Sequence, residues 1–128
     1  MKRHIVSIVF AAFLIAFGAQ AQSPAEQLIG KWSGSSTGPC GTTNVTVTSV
    51  EANGMVRGTL DCTQRKITVT LGDKKELDRS MAARLVGSQL TIDGANSDLQ
   101  FTLENGKLAG TASAGTNTTR RPLVLTKQ

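Results

Sequence analysis

The chain has no tyrosine, one tryptophan (Trp32) and four phenylalanines, three of which (Phe10, Phe13, Phe17) fall within the first 21 residues. Beyond that point only Trp32 and Phe101 remain as large aromatics, too few for base-stacking platforms or for the aromatic shelves of sugar sites. The single histidine is His4. Past residue 21 the commonest general base and metal ligand is therefore missing, and triad-type or zinc chemistry lacks its usual member. Long hydrophobic runs are scarce as well. The one present, Ile5 to Phe17, follows Lys2 and Arg3 and precedes the small residues Ala19-Gln20-Ala21. It is too short for a membrane span and has the layout of a secretory signal peptide over residues 1–21. Cleavage is expected after Ala21, and no cysteine follows to take a lipid. The expected location is periplasmic or secreted, with no membrane insertion once the leader is gone.

Charge of one sign is also in short supply. Without Lys2 and Arg3 the fourteen basic residues become twelve, against nine acidic, a net of +3. That is too mild to imply a nucleic-acid partner. The basic pairs Arg65-Lys66, Lys74-Lys75 and Arg120-Arg121 read as solvated strand ends and loop tips. Carboxylates are scattered: Asp73, Glu76 and Asp78 share a stretch with Lys74, Lys75 and Arg79. Asp93 and Asp98 in "DGANSD" have the look of a calcium loop but lack its other acidic ligands, so the segment reads as a hairpin turn. The serines of "SGSSTG" read as loop. We expect no enzyme activity, no metal and no cofactor.

Cysteine is limited to Cys40 and Cys62, both beyond the leader. In an oxidising compartment an even pair reads as a disulfide. A redox pair would sit closer in sequence, and no histidine follows the leader to complete a zinc site. Closing this loop contributes roughly 3 kcal/mol in the chain-entropy model.

What the chain does have is alternation. "NVTVTSV" sets Val45 and Val47 against Thr46 and Thr48, and "KITVTLG" sets Ile67, Val69 and Leu71 against Thr68 and Thr70. "SQLTIDG" offers Leu90 and Ile92; "DLQFTLE" offers Leu99, Phe101 and Leu103. Period-two patterning with threonine on the wet side predicts half-buried antiparallel strands. Further strands are expected at Leu28–Ser35, Met55–Cys62, Met81–Val86, Lys107–Ser113 and Arg121–Lys127, eight or nine in all. Asp73–Gly87 reads as a polar connection entering a strand, and Ser113–Arg121 as a loop. "NGMVRGT" (53–59) returns as "NGKLAGT" (105–111), which predicts two equivalent Asn-Gly hairpins. In each copy a glycine, Gly58 or Gly110, takes the place of an inward side chain. Such glycines mark bulges or coil points in a sheet that closes on itself. A phosphate-cradling role is set aside because neither precedes a helix.

Gly30-Lys31-Trp32, in "LIGKWSG", is a Gly-x-Trp at the start of the first strand. In this the chain resembles the calycin superfamily, which includes lipocalins, avidins and bacterial inhibitors of secreted metalloproteases. The resemblance implies an all-β, antiparallel up-and-down barrel or strongly coiled sheet over residues 28–128. It also implies that Trp32 closes one end beneath a basic residue of the last strand, for which Arg120 or Arg121 is expected. In size, export and the placing of Cys40 and Cys62 after Trp32, the chain is most similar to the metalloprotease inhibitors. That likeness implies an inhibitory N-terminal arm at residues 22–27: Gln22, Ser23, Pro24, Ala25, Glu26 and Gln27. The tryptophans and tyrosine that wall avidin pockets are missing. The inward Val, Leu and Ile are expected to fill the barrel. The resulting expectation is a non-enzymatic exported binding protein for a protein or small-molecule partner, with protease inhibition as the alternative.

Overall fold

In the computed structural model, which describes residues 22–114 and 119–128, the alternating segments form nine strands. They are β1 (Gly30–Ser35), β2 (Thr42–Val50), β3 (Val56–Cys62), β4 (Ile67–Gly72), β5 (Ser80–Val86), β6 (Gln89–Asp93), β7 (Ser97–Glu104), β8 (Lys107–Ala114) and β9 (Arg121–Lys127). Each pairs with the next, and β9 returns to β1 through Trp32↔Lys127 and Ser33↔Thr126, so the sheet closes into a barrel. The expected leader over residues 1–21 and positions 115–118 of the expected loop lie outside the described residues.

A ring of nine strands cannot reverse direction at every step, because an odd count leaves one pair pointing the same way. That pair is β4–β5, parallel through Thr70↔Ser80, Leu71↔Met81 and Gly72↔Ala82. The antiparallel pairing expected from the sequence holds at the other eight pairings of the ring. The chain leaves β4 at Gly72, opposite Ala82, and must come back to the level of Thr70 before β5 begins. Residues 73–79, the charged half of the expected polar connection, make that return. The Arg79 carbonyl accepts a bond from the Thr70 amide at 3.0 Å.

The inward set is the one alternation predicts. Val45, Val47, Leu71, Leu90, Ile92, Leu99, Phe101 and Leu103 are buried, while Thr48, Thr68, Thr70 and Gln100 are exposed. The glycines of the doubled stretch act by close approach. A Cβ on Gly58 would lie 1.8 Å from the Thr46 carbonyl oxygen, and one on Gly110 would lie 1.7 Å from that of Gln100. Each therefore lets the neighbouring strand ride in over its backbone where the sheet coils, and beside Gly58 the register slips between Val47 and Ser49.

The two Asn-Gly turns, however, are not equivalent. Asn105 and Gly106 are both left-handed (φ 53° and 73°) and join Glu104 to Lys107 as a two-residue turn. In the first copy only Gly54 has positive φ, and the chain makes a wider loop closed by Glu51 N–H to Met55 O at 2.8 Å. That loop leans on β5: Leu85 donates to the Gly54 carbonyl at 2.8 Å and Arg84 to that of Asn53 at 2.9 Å. It covers the stretch of β5 that the short strand β4 does not reach.

One element goes beyond the expectation. Pro24–Leu28 form a short helix, α1. Ser23 and Glu26 cap it reciprocally and Pro24 occupies its first turn. The arm expected at Gln22–Gln27 is thus largely helical. Leu28, read as the first strand residue, is instead the fully buried end of the helix.

Candidate ligand-binding mouth

The barrel has unlike ends. At the end where β1 begins, Trp32 is 1 % exposed and its indole N–H donates to the Leu28 carbonyl at 2.8 Å. Lys127 lies over the ring, its Nζ 5.4 Å from the centroid, and donates to the Gln27 carbonyl at 2.7 Å. Gly30, with φ 136°, makes room: a Cβ there would sit 2.7 Å from Lys127 Cε. Helix, indole and final lysine seal this end. The basic partner expected at Arg120 or Arg121 is corrected to Lys127. Antiparallel pairing sets Trp32, early in β1, against the last residue of β9 and not its first.

Arg120 and Arg121 stand at the other end of β9 and point opposite ways. Arg120 is on the outside, paired with Asp98 at 3.0 Å and bonded to the Thr111 hydroxyl at 2.7 Å. Asp98 also accepts from the Ser113 hydroxyl, and that bond, with the Arg120 guanidinium, holds its carboxyl below the usual carboxylate range. Its neighbour in "DGANSD", Asp93, pairs with Lys75 at 3.0 Å. Both aspartates of the turn are thus engaged by cations of the protein. Among the described residues no cluster of three His, Cys, Asp or Glu side chains could hold a metal ion.

Arg121 faces a cavity of about 180 Å³ at this second end. Its apolar floor includes Leu60, Met81, Leu99 and Leu123, which β3, β5, β7 and β9 point inward. Around the rim are the hydroxyls of Ser36, Thr43 and Ser97 and the side chain of Arg65. The inward Val, Leu and Ile thus fill the barrel toward Trp32 and leave it hollow at this end, a choice the sequence left open. A second hollow of about 220 Å³ shares Leu60, Cys62, Arg65, Met81 and Ser97 with the first and extends beneath Leu77. A wider depression, about 520 Å³, lies against outward-facing Arg84, Val86 and Thr91 and is an open trough outside the barrel.

Cys40 and Cys62 are joined as expected, and both line the mouth cavity. The bond fastens the β1–β2 loop to the end of β3. That loop forms one wall, held also by Gln64 N–H to Cys40 O at 3.1 Å and by Arg121 to the Thr37 hydroxyl at 3.2 Å. Thr43, a buried polar residue of this wall, donates to Cys40 Sγ at 3.3 Å. Compartment and spacing together identified the bridge; its position beside a cavity depends on loops meeting and leaves no mark in the sequence.

Strand order, closure and the plugged Trp32 end define a calycin-like small β-barrel. Two solved structures share it: the fluorescent protein UnaG in its wild-type form (TM-score 0.53, 14 % identity, 81 % of this chain and 99 % of that one) and in a mutant form (TM-score 0.52, 15 % identity, 80 % and 97 %). At such identity the likeness is one of fold. No protein-family model and no curated protein matches the chain.

Proposed function

We propose that this is an exported, non-enzymatic binding protein that takes a small ligand into the cavity at the disulfide-bearing mouth. The observation that carries the reading is the contrast between the ends: one plugged by Leu28 and Trp32, the other hollow above an apolar floor and ringed by hydroxyls and arginine. Concave sites with apolar walls and a few convergent polar groups are where small molecules are held. At about 180 Å³ the space is below the usual range for drug-sized ligands, so the ligand is compact. The leader pattern and the disulfide support export. The poverty of general bases and aromatic platforms supports binding without catalysis.

Inhibition of a secreted metalloprotease through residues 22–27 has less to rest on. Insertion into a cleft needs an extended arm. Here α1 is capped, anchored by Leu28 and tied by Lys127 to the Gln27 carbonyl.

The test is to fill the cavity. Ala112 lies on its wall and packs against the core, so Ala112→Leu puts three more carbons into the space. Titrated with 1-hexanol and followed by amide chemical shifts, the parent protein should show saturable changes at the mouth and the variant should lose them. Saturable changes at the mouth that survive in a folded Ala112→Leu protein would place the ligand elsewhere.

A further inference from the structure

Resting on that reading, we infer that the ligand is a small monoanionic amphiphile, with its charged head between Arg65 and Arg121 and its apolar body on Leu60, Leu99 and Leu123. Among the described residues two arginines line the cavity and no aspartate or glutamate does. Neither arginine is in an ion pair with a carboxylate among the described residues, whereas Arg57 and Arg120 are each matched to one, Glu51 and Asp98. Arg121 is half-buried, so its charge has given up part of its hydration, and its bond to Thr37 engages one of five guanidinium N–H donors. A carboxylate or sulfonate would supply the missing acceptors as charge-assisted hydrogen bonds, which are about twice as strong as neutral ones.

The surroundings fix where the head goes. On the far side of Arg65 the neighbouring hollow is bounded by Glu76 and Asp78, which repel an anion and turn it toward Arg121. The serine and threonine hydroxyls of the rim accept as readily as they donate and do not discriminate by charge. Volume fixes the body. At about 30 Å³ per water the space equals roughly six waters, which suits a chain of about five to seven carbons and excludes long acyl chains.

The experiment uses the oxidised protein at pH 7 and low salt with three probes of one length: hexanoate, 1-hexanol and hexylamine. Affinities are read from amide chemical-shift titrations. Hexanoate should bind at least about tenfold more tightly than 1-hexanol, with hexylamine weakest. Raising the salt should narrow the gap, because the rim is open to screening. Arg121→Gln and Arg65→Gln should each bring the hexanoate-to-hexanol ratio several-fold closer to one. Arg121 also steadies the Thr37 loop, so the exposed Arg65 variant carries the test if the other fails to fold. Equal binding of hexanoate and hexanol overturns the anion inference and leaves the cavity reading standing; preference for hexylamine overturns it with the sign reversed. Binding of none of the three at the mouth defeats both.

Discussion

Trp32 holds the closed end by two unlike contacts, and they can be ranked. Its indole N–H bond to the Leu28 carbonyl is buried, so removing the donor strands an acceptor away from water. That costs about 1–3 kcal/mol. Lys127 above the ring is solvent-exposed, where a cation–π contact contributes only about 0.5–1 kcal/mol, and its bond to the Gln27 carbonyl is exposed too, so losing it leaves that acceptor to water. Urea unfolding followed by far-UV circular dichroism should therefore show Trp32→Phe to be costlier than Lys127→Met. The reverse order would mean that the end is held by charge. At the opposite end Asp98 gives a pH signature. Its folded pKa lies below the unfolded value, owing first to the Ser113 hydrogen bond and then to Arg120. A depressed carboxylate adds stability above the unfolded pKa, near 3.9, and loses it as pH falls through the folded value. Asp98→Asn should thus have a lower melting temperature than the parent at pH 7, and the gap should close below about pH 4. A gap constant from pH 7 to pH 3 would remove Asp98 from the acid response. The tryptophan's role was legible from Gly30 and Trp32. Its cation was not, because identifying Lys127 needs the β1–β9 register, and alternation cannot supply register.

Among the elements, strands were the most legible because period two is written directly into "VTVT", "ITVTL" and "LQFTL". Less so was α1, although "SPAE" carries a capping box and a first-turn proline; five residues are too few to show helical periodicity. The doubled Asn-Gly stretch was legible in its glycines and misleading in its turns. Whether Asn-Gly makes a tight turn depends on what the loop must reach, and the first copy must reach β5. The Ser36–Gly41 loop yields a prediction at this scale. Among the described residues few contacts hold it: the disulfide, the Gln64, Arg121 and Thr43 bonds and its own turn. Reducing Cys40–Cys62 should cost about 2–4 kcal/mol of stability. Because the loop is also a cavity wall, reduction should weaken 1-hexanol binding under conditions where the barrel stays folded. The check is a titration with and without reductant, with circular dichroism confirming the fold. Unchanged affinity would show that the loop keeps its place without the bond.

On the scale of the molecule, the sequence announced a closed sheet but neither the parallel seam nor the hollow. The seam follows from the parity of the strand count, which a reading of eight or nine strands leaves open. The hollow follows from side-chain length: at this level the wall residues Thr43, Ser97 and Ala112 are too short to meet across the barrel, while at the other level Trp32, Leu28 and Leu125 fill it. With the proposed function, stability and binding fall to different ends of one barrel. Ser36 at the mouth is four residues along from Trp32, roughly 13 Å at strand rise. Sites that far apart with no shared partner behave additively within about 0.3–0.5 kcal/mol. Trp32→Phe should therefore lower the unfolding free energy yet leave 1-hexanol affinity within about twofold, and Ala112→Leu should abolish binding without the cost of the tryptophan change. The double variant should unfold with the sum of the two single effects. A departure from additivity beyond about 1 kcal/mol would mean that the plug and the mouth communicate through the strands joining them, and that an occupied mouth tightens the closed end as well.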